Sequence, residues 1–129
     1  MGKPTSSENA IPCVNQQLLA ELRALSKARG TDLVSELSRT FFSVLPERID
    51  AIRAAAVAGD GRAFAAGAHK IKGAAACIGA SRLAALCGRI ESLGDSGSLE
   101  GAAVLIDRLE REAQDVREAF TQESEASSG

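Results

Sequence analysis

The 129-residue chain contains a single histidine, His69, and the residue types that follow it favour a reactive imidazole. Lys72, Gly73 and Ala76 lie three, four and seven positions further on, so on a helix all four residues share one face. Glycine inside a helix costs about 1 kcal/mol relative to alanine, yet this segment otherwise uses alanine freely. Gly73 leaves the imidazole without a neighbouring side chain, so that a bulky molecule can approach the ring. Lys72 adds a cation suited to a transferring phosphoryl group.

A carboxylate on the next predicted helix completes the candidate site. His69 precedes the predicted turn at Gly79 by ten residues, and Glu91 follows that turn by twelve. At 1.5 Å per residue these separations are roughly 15 and 18 Å along antiparallel helices, which places the two side chains at about the same height. A carboxylate hydrogen-bonded to one ring nitrogen fixes the tautomer and raises the basicity of the other nitrogen. We therefore expect Glu91 to orient His69 as a nucleophile.

The elements that must position these side chains are all helical, because the apolar residues follow the helical period and no segment alternates like a strand. Caps and glycines separate five segments, which are Asn15 to Gly30, Thr31 to Gly59, Arg62 to Cys77, Ser81 to Gly94 and Leu99 to Phe120. Asn15, Thr31 and Asp60 are the predicted N-caps. Pro46 predicts a kink in the second segment or a break into two helices. The short connections predict an all-α fold, an antiparallel up-down four-helix bundle with an additional short N-terminal helix.

The two ends of the chain differ from the bundle. We expect residues 1–12 to be a flexible leader, residues 13–121 to form the bundle and residues 122–129 to be a flexible tail. The polar, proline-bearing leader resembles a linker between domains, and the serine-rich tail resembles a natural C-terminus. These features favour a module cut from the end of a longer protein over a free-standing one.

Composition and charge exclude several classes of function. The net charge of −2 and the 3% aromatic content predict no nucleic-acid binding. No apolar run approaches the roughly 20 residues that span a bilayer, and the N-terminus lacks the apolar core of a signal peptide. We expect no direct membrane contact and a cytoplasmic location. The three cysteines form no CxxC pair and match no zinc pattern with His69, so we expect neither a disulfide framework nor a metal site, and Cys77 and Cys87 should be buried in the helix seams.

The helical hairpin that bears His69 is basic. Five basic and no acidic residues lie between Arg62 and Arg89, which leaves −7 on the rest of a chain whose total is −2. Such a hairpin attracts an acidic partner surface. We expect this docking surface to include Gly73, Lys70, Ala76 and Arg82. Two alternatives stay open, namely that these basic residues form a solvated face and that Gly73 permits close helix packing.

The run Ala68 to Ala80, AHKIKGAAACIGA, resembles the signature of the histidine-containing phosphotransfer (HPt) domain, roughly AHxLKGxAxxxGAxxLxxxCxxLE. Leu83, Leu86, Cys87, Ile90 and Glu91 follow and carry the resemblance into the next segment, with Ile90 in place of a leucine. Departures are mild, with Ile71 in place of leucine and alanines at 74 and 75 where serine is frequent. The resemblance implies a four-helix bundle that relays a phosphoryl group between aspartates of response-regulator receiver domains. It implies that His69 is the phosphoacceptor, that Lys72 stabilises the phosphoryl charge, that Gly73 gives the partner clearance and that Glu91 orients the imidazole.

The chain has no P-loop, no glycine-rich nucleotide loop and no carboxylate cluster beside His69, so we expect a phosphorelay carrier without autonomous kinase activity. We expect no bound cofactor, and we expect Mg²⁺ to come from the partner receiver domain. The expected partners are receiver domains and, in a hybrid sensor kinase at the inner membrane, the other domains of that kinase; we expect a monomer. The alternative function is a structural docking or dimerisation bundle in which His69 carries no phosphate.

Overall fold

The computed structural model describes the backbone of residues 12–128 and the side chains of residues 12–121. The predicted flexible leader, except for residue 12, lies outside the described residues, as do residue 129 and the side chains of the predicted tail. Five α-helices follow one another without a strand in the described range. They are α1 (Gln16–Arg29), α2 (Leu33–Ala58), α3 (Gly61–Cys77), α4 (Ser81–Asp95) and α5 (Ala102–Ser128). The predicted all-α architecture is confirmed.

Helices α2 to α5 form the four-helix bundle, and α1 is the additional N-terminal helix. Each of α2, α3 and α4 packs against the helix that follows it, and α5 closes the bundle against α2. The most extensive packing joins α3 and α4, the hairpin that bears His69. The start of α1 contacts the turn of this hairpin, where the backbone N–H of Asn15 donates to the carbonyl oxygen of Gly79 at 2.7 Å.

The helix boundaries follow from capping. The side chains of Asn15 and Asp60 cap α1 and α3 by accepting hydrogen bonds from the first turn of each helix, as predicted. The prediction of Thr31 as the cap of α2 is wrong. Asp32 is the cap, because its two carboxylate oxygens accept from both the backbone N–H and the hydroxyl of Ser35, at 3.1 and 2.7 Å. The hydrogen bonds from Ser35 lower the pKa of Asp32 below its ordinary value.

The remaining comparison concerns Pro46 and the ends of α5. Helix α2 runs through Pro46 without a break, which excludes the second of the two predicted outcomes, a kink or a break. Proline leaves the carbonyl group one turn back without its helical donor, and because Pro46 is exposed, that side of the helix faces solvent. Helix α5 begins at Ala102 rather than Leu99, after a turn in which Gly101 has a φ of 89°. It continues past Phe120 to Ser128, through residues that include no proline or glycine to stop it.

A continuous core fixes the hairpin to the other helices. The largest fully buried side chains come from α1 to α5 and are Phe64, Leu19, Leu45, Ile52, Ile71, Leu83, Ile90, Leu109, Val116 and Cys87. Two glycines set the spacing of α3 and α4 where α3 begins and α4 ends. A Cβ added to Gly94 would lie 2.6 Å from the carbonyl oxygen of Gly61 and 2.8 Å from the backbone nitrogen of Ala65. The backbones of the two helices are therefore in direct contact at this point, and this contact sets the register of α3 against α4. No helix within the described residues is long and apolar enough to cross a membrane.

Candidate functional site

His69 lies near the middle of α3 at the edge of the core. Its side chain is 67% exposed, whereas the neighbouring Ala68 and Ile71 are fully buried. The apolar face of α3 thus turns towards α2 and α4 and leaves the imidazole at the surface. This is the placement that the helical pattern predicts.

Glu91 lies beside the imidazole and joins it to Lys72. His69 Nδ1 and Glu91 Oε2 are 3.0 Å apart, and Lys72 Nζ donates to Glu91 Oε1 at 2.5 Å. The structure thus brings together the two side chains that the sequence places at the same height on α3 and α4. One carboxylate holds both the ring and the cation, each through a separate oxygen.

The protonation of this group follows from its hydrogen bonds. The hydrogen bond from Lys72, and after it the hydrogen bond with His69, hold the pKa of the Glu91 carboxyl below its ordinary value. Glu91 is therefore ionised at neutral pH and can only accept hydrogen bonds. In neutral His69 the proton must then reside on Nδ1, where it is donated to Glu91. This tautomer leaves the lone pair of Nε2 available to a nucleophilic reaction.

The surface beside the ring is bare. Gly73 is exposed, and a Cβ added there would meet no atom within 4 Å. Ala76, one turn further along α3, is also exposed. Helix packing therefore does not require the glycine at position 73, and the interpretation that Gly73 permits close packing is wrong. The clearance next to His69 is open to a second molecule.

The structure does not bring the whole predicted docking surface together. Lys70 is exposed on α3, about 100° around the helix from His69. Arg82 lies nine residues before Glu91, which places it on the opposite face of α4, roughly 180° away. Its guanidinium is 3.8 Å from the carboxylate of Glu112 on α5. Arg82 therefore lies on a different face of α4 from Glu91, and its place in the docking surface stays a prediction.

The cysteines do not share one environment. Cys87 is buried in the core, and burial raises the pKa of its thiol to about 12. Cys77 is exposed, so the prediction that it is buried is wrong. It lies two residues beyond the buried Ala75 and therefore about 200° around α3 from it. Among the residues with described positions, no group of three or more His, Cys, Asp or Glu side chains could hold a metal ion.

Sequence reasoning missed the ion pair between Lys72 and Glu91. It assigned Lys72 to the phosphoryl group and Glu91 to the imidazole, without joining the two. The signal was available in the sequence, because Lys72 lies only about one helical turn, roughly 4.5 Å, from His69 along α3. At that height its four-carbon stem can reach a carboxylate on α4 that also reaches the ring.

Comparison with known proteins identifies the family. The model of the Hpt domain family matches residues 36–119, a range that includes all of α3 and α4. The chain belongs to the Hpt domain family. It is similar to histidine-containing phosphotransfer protein B (HptB) from Pseudomonas aeruginosa PAO1, with a TM-score of 0.78 and 33% sequence identity, over 89% of this chain and 96% of the HptB chain. No curated protein sequence matches the chain.

Membership of the family assigns the function at the level of the domain. Hpt domains pass phosphate to response-regulator receiver domains, and this Hpt domain has a histidine phosphotransfer function in a phosphorelay.

Proposed function

We propose that His69 of this Hpt domain accepts the phosphoryl group from the aspartyl phosphate of a receiver domain and passes it to an aspartate of another response regulator. The observation that carries the proposal is the exposure of the chain's single imidazole beside a bare turn of helix. A histidine phosphotransfer domain needs a histidine that a second protein can reach. A purely structural bundle would gain nothing from an exposed ring next to Gly73.

The tautomer selects the nitrogen that reacts. Since Nδ1 donates its proton to Glu91, Nε2 attacks the phosphorus in line, an N–P bond forms, and the aspartate oxygen leaves with the bonding electron pair. The ring becomes positively charged, and the carboxylate 3.0 Å from Nδ1 stabilises that charge. The return transfer to a second aspartate reverses these steps. The ring therefore acts as a carrier, and no nucleotide is needed on this chain.

Lys72 supplies the positive charge for the phosphoryl oxygens. Its ammonium donates to the Glu91 carboxylate, which also orients the ring, and the Lys72 side chain is 38% exposed. A phosphoryl group on Nε2 has three oxygens, and the ammonium keeps two donors after its bond to Glu91. The carboxylate thus positions the cation at the ring before the phosphoryl group arrives.

The partner supplies the remaining chemistry. The bare surface at Gly73 and Ala76 gives a receiver room to approach, and the basic residues of the hairpin complement an acidic receiver surface. The Mg²⁺ ion of the transfer reaction belongs to the receiver. We propose no cofactor for this chain.

The test uses a receiver domain that phosphorylates the wild-type protein. With the phosphorylated receiver as donor, wild-type protein should acquire an acid-labile phosphoryl group, and His69→Gln should acquire none. Because the imidazole is mostly exposed, the substitution should change the free energy of unfolding by no more than about 0.5 kcal/mol, which thermal unfolding followed by circular dichroism checks. Uptake of label by a folded His69→Gln variant overturns the proposal.

A further inference from the structure

A second glycine inside a helix of the hairpin lacks an explanation in helix packing. Gly88 lies in the interior of α4, where glycine costs about 1 kcal/mol relative to alanine. The interior glycines Gly67 and Gly94 are explained by close approach, since a Cβ at either would lie within 3 Å of a neighbouring atom. A Cβ at Gly88 would meet only Lys72 Cδ, at an ordinary contact distance of 3.9 Å. The backbone of the bundle therefore leaves room for a side chain at position 88.

The side chain that lies over Gly88 is the stem of Lys72. Lys72 extends from α3 across the surface of α4, and its ammonium ends on Glu91 Oε1 at 2.5 Å. Gly88 and Glu91 are three residues apart and so lie on the same face of α4. The methylene groups thus pass over Gly88 on the way to the carboxylate. A long lysine stem loses rotamer freedom when it is held in this way. Because Gly88 has no side chain, the stem has space to follow this path to Glu91.

We propose that Gly88 is a positioning residue for phosphoryl transfer. Its lack of a side chain lets the Lys72 stem lie against α4, which keeps the ammonium beside Glu91 and the reacting ring. A residue with γ atoms at position 88 displaces the stem and moves the cation away from the phosphoryl oxygens. This inference rests on the proposed function of the His69 site. It adds to that site a residue at a position that the HPt signature leaves unspecified.

The test compares Gly88→Val with Gly88→Ala. Both residues form helix more readily than glycine, so neither variant should unfold at a lower temperature than wild type. Valine places methyl groups in both of the χ1 positions that a helix readily accommodates, whereas alanine adds only the Cβ that the structure has room for. With a phosphorylated receiver as donor, we expect the transfer rate of Gly88→Ala to stay within about twofold of wild type and that of Gly88→Val to fall roughly tenfold, the equivalent of about 1.4 kcal/mol.

A double-mutant cycle shows whether Gly88 acts through Lys72. In a Lys72→Ala background, Gly88→Val should slow transfer by less than about twofold further. Ala103→Val, at an exposed position on α5, is the control and should leave the rate near wild type. An unchanged rate for Gly88→Val overturns the proposal. So does an equal slowing with and without Lys72, because the valine would then obstruct the receiver directly.

A measurement that needs no phosphoryl transfer separates this proposal from the function of the site. The carboxyl pKa of Glu91, followed by NMR titration, should rise towards its ordinary value in Gly88→Val and stay depressed in Gly88→Ala, because only the first variant removes the ammonium from the carboxylate. An unaltered pKa in Gly88→Val contradicts the positioning role. If the wild-type protein takes up no phosphoryl group while the pKa shifts as expected, the proposed function of His69 fails and the placement of Lys72 by Gly88 stands.

Discussion

Substitutions at Gly73 should separate stability from phosphoryl transfer. The position is exposed in the interior of α3, and an added Cβ meets no atom within 4 Å. Replacing glycine by alanine should therefore recover most of the helix-propensity cost, about 1 kcal/mol. For a domain of this size that gain corresponds to a rise of roughly 3–5 °C in unfolding temperature. Arginine is also a good helix former, so Gly73→Arg should unfold no lower than wild type.

The effect on transfer should have the opposite sign. Side chains four residues apart on a helix have Cβ atoms about 5–6 Å apart, so an arginine at position 73 covers the approach to His69. We expect Gly73→Arg to slow transfer from a phosphorylated receiver by about 100-fold or more, or about 2.7 kcal/mol in the barrier. Gly73→Glu should do the same with the opposite charge. Ala103→Arg, at an exposed position on α5, adds the same side chain away from the site and should leave the rate unchanged.

Thermal unfolding and a time course of phosphoryl transfer measure the two effects on the same samples. Transfer by Gly73→Arg at the wild-type rate would refute the clearance role of the glycine. A fall in the unfolding temperature of Gly73→Ala would show instead that packing requires the glycine, against the open space found at this position.

Two further substitutions test the site and the spacing of its helices. Glu91→Gln keeps an acceptor for the imidazole but loses the ion pair with Lys72, so the transfer rate should fall roughly tenfold. The hydrogen bond from Lys72 lowers the pKa of Glu91 from 4.5. The stability that the ion pair contributes is therefore present at neutral pH and is lost as the pH falls through the depressed pKa. Urea unfolding should show a larger stability difference between wild type and Glu91→Gln at pH 7 than at pH 3, and an equal difference at the two pH values would contradict this. Gly94→Ala places a Cβ 2.6 Å from the carbonyl oxygen of Gly61 and should destabilise the bundle by about 1–3 kcal/mol, and an unfolding temperature equal to that of wild type would contradict the backbone contact.

The parts of the fold that were predictable from sequence depend on local chemistry. Asn15 and Asp60 cap helices because their short side chains accept from the first turn, wherever the helix later packs. The helical period identifies the buried face of α3, and so leaves His69 at its edge. The meeting of His69 and Glu91 followed from counting residues on either side of one short turn. In each case the distance along the chain is short enough to fix the distance in space.

The remaining features depend on rotation around each helix and on tertiary structure. Arg82 was grouped with His69 by charge and proximity in sequence, but helical rotation places it roughly 180° from Glu91, where its guanidinium is 3.8 Å from the carboxylate of Glu112. Cys77 belongs to a pattern of apolar spacing, yet it lies about 200° around α3 from the buried Ala75 and is exposed. The sequence left open whether Pro46 kinks or breaks α2. The helix is unbroken, and the carbonyl group that loses its helical donor lies on the side of α2 that faces solvent. The contact of Lys72 with Glu91 required the register of α3 against α4, which the glycines at positions 61 and 94 set.

The most direct test of the central claim is to identify the phosphorylated atom. Wild-type protein labelled with ¹⁵N in its histidine and phosphorylated by a receiver should give a single phosphohistidine by ³¹P and ¹⁵N NMR, with phosphorus bonded to Nε2 of His69 and with Nδ1 still protonated. A phosphoryl group on Nδ1, or on a residue other than His69, would contradict the arrangement in which Glu91 occupies one nitrogen of the exposed imidazole and leaves the other to react.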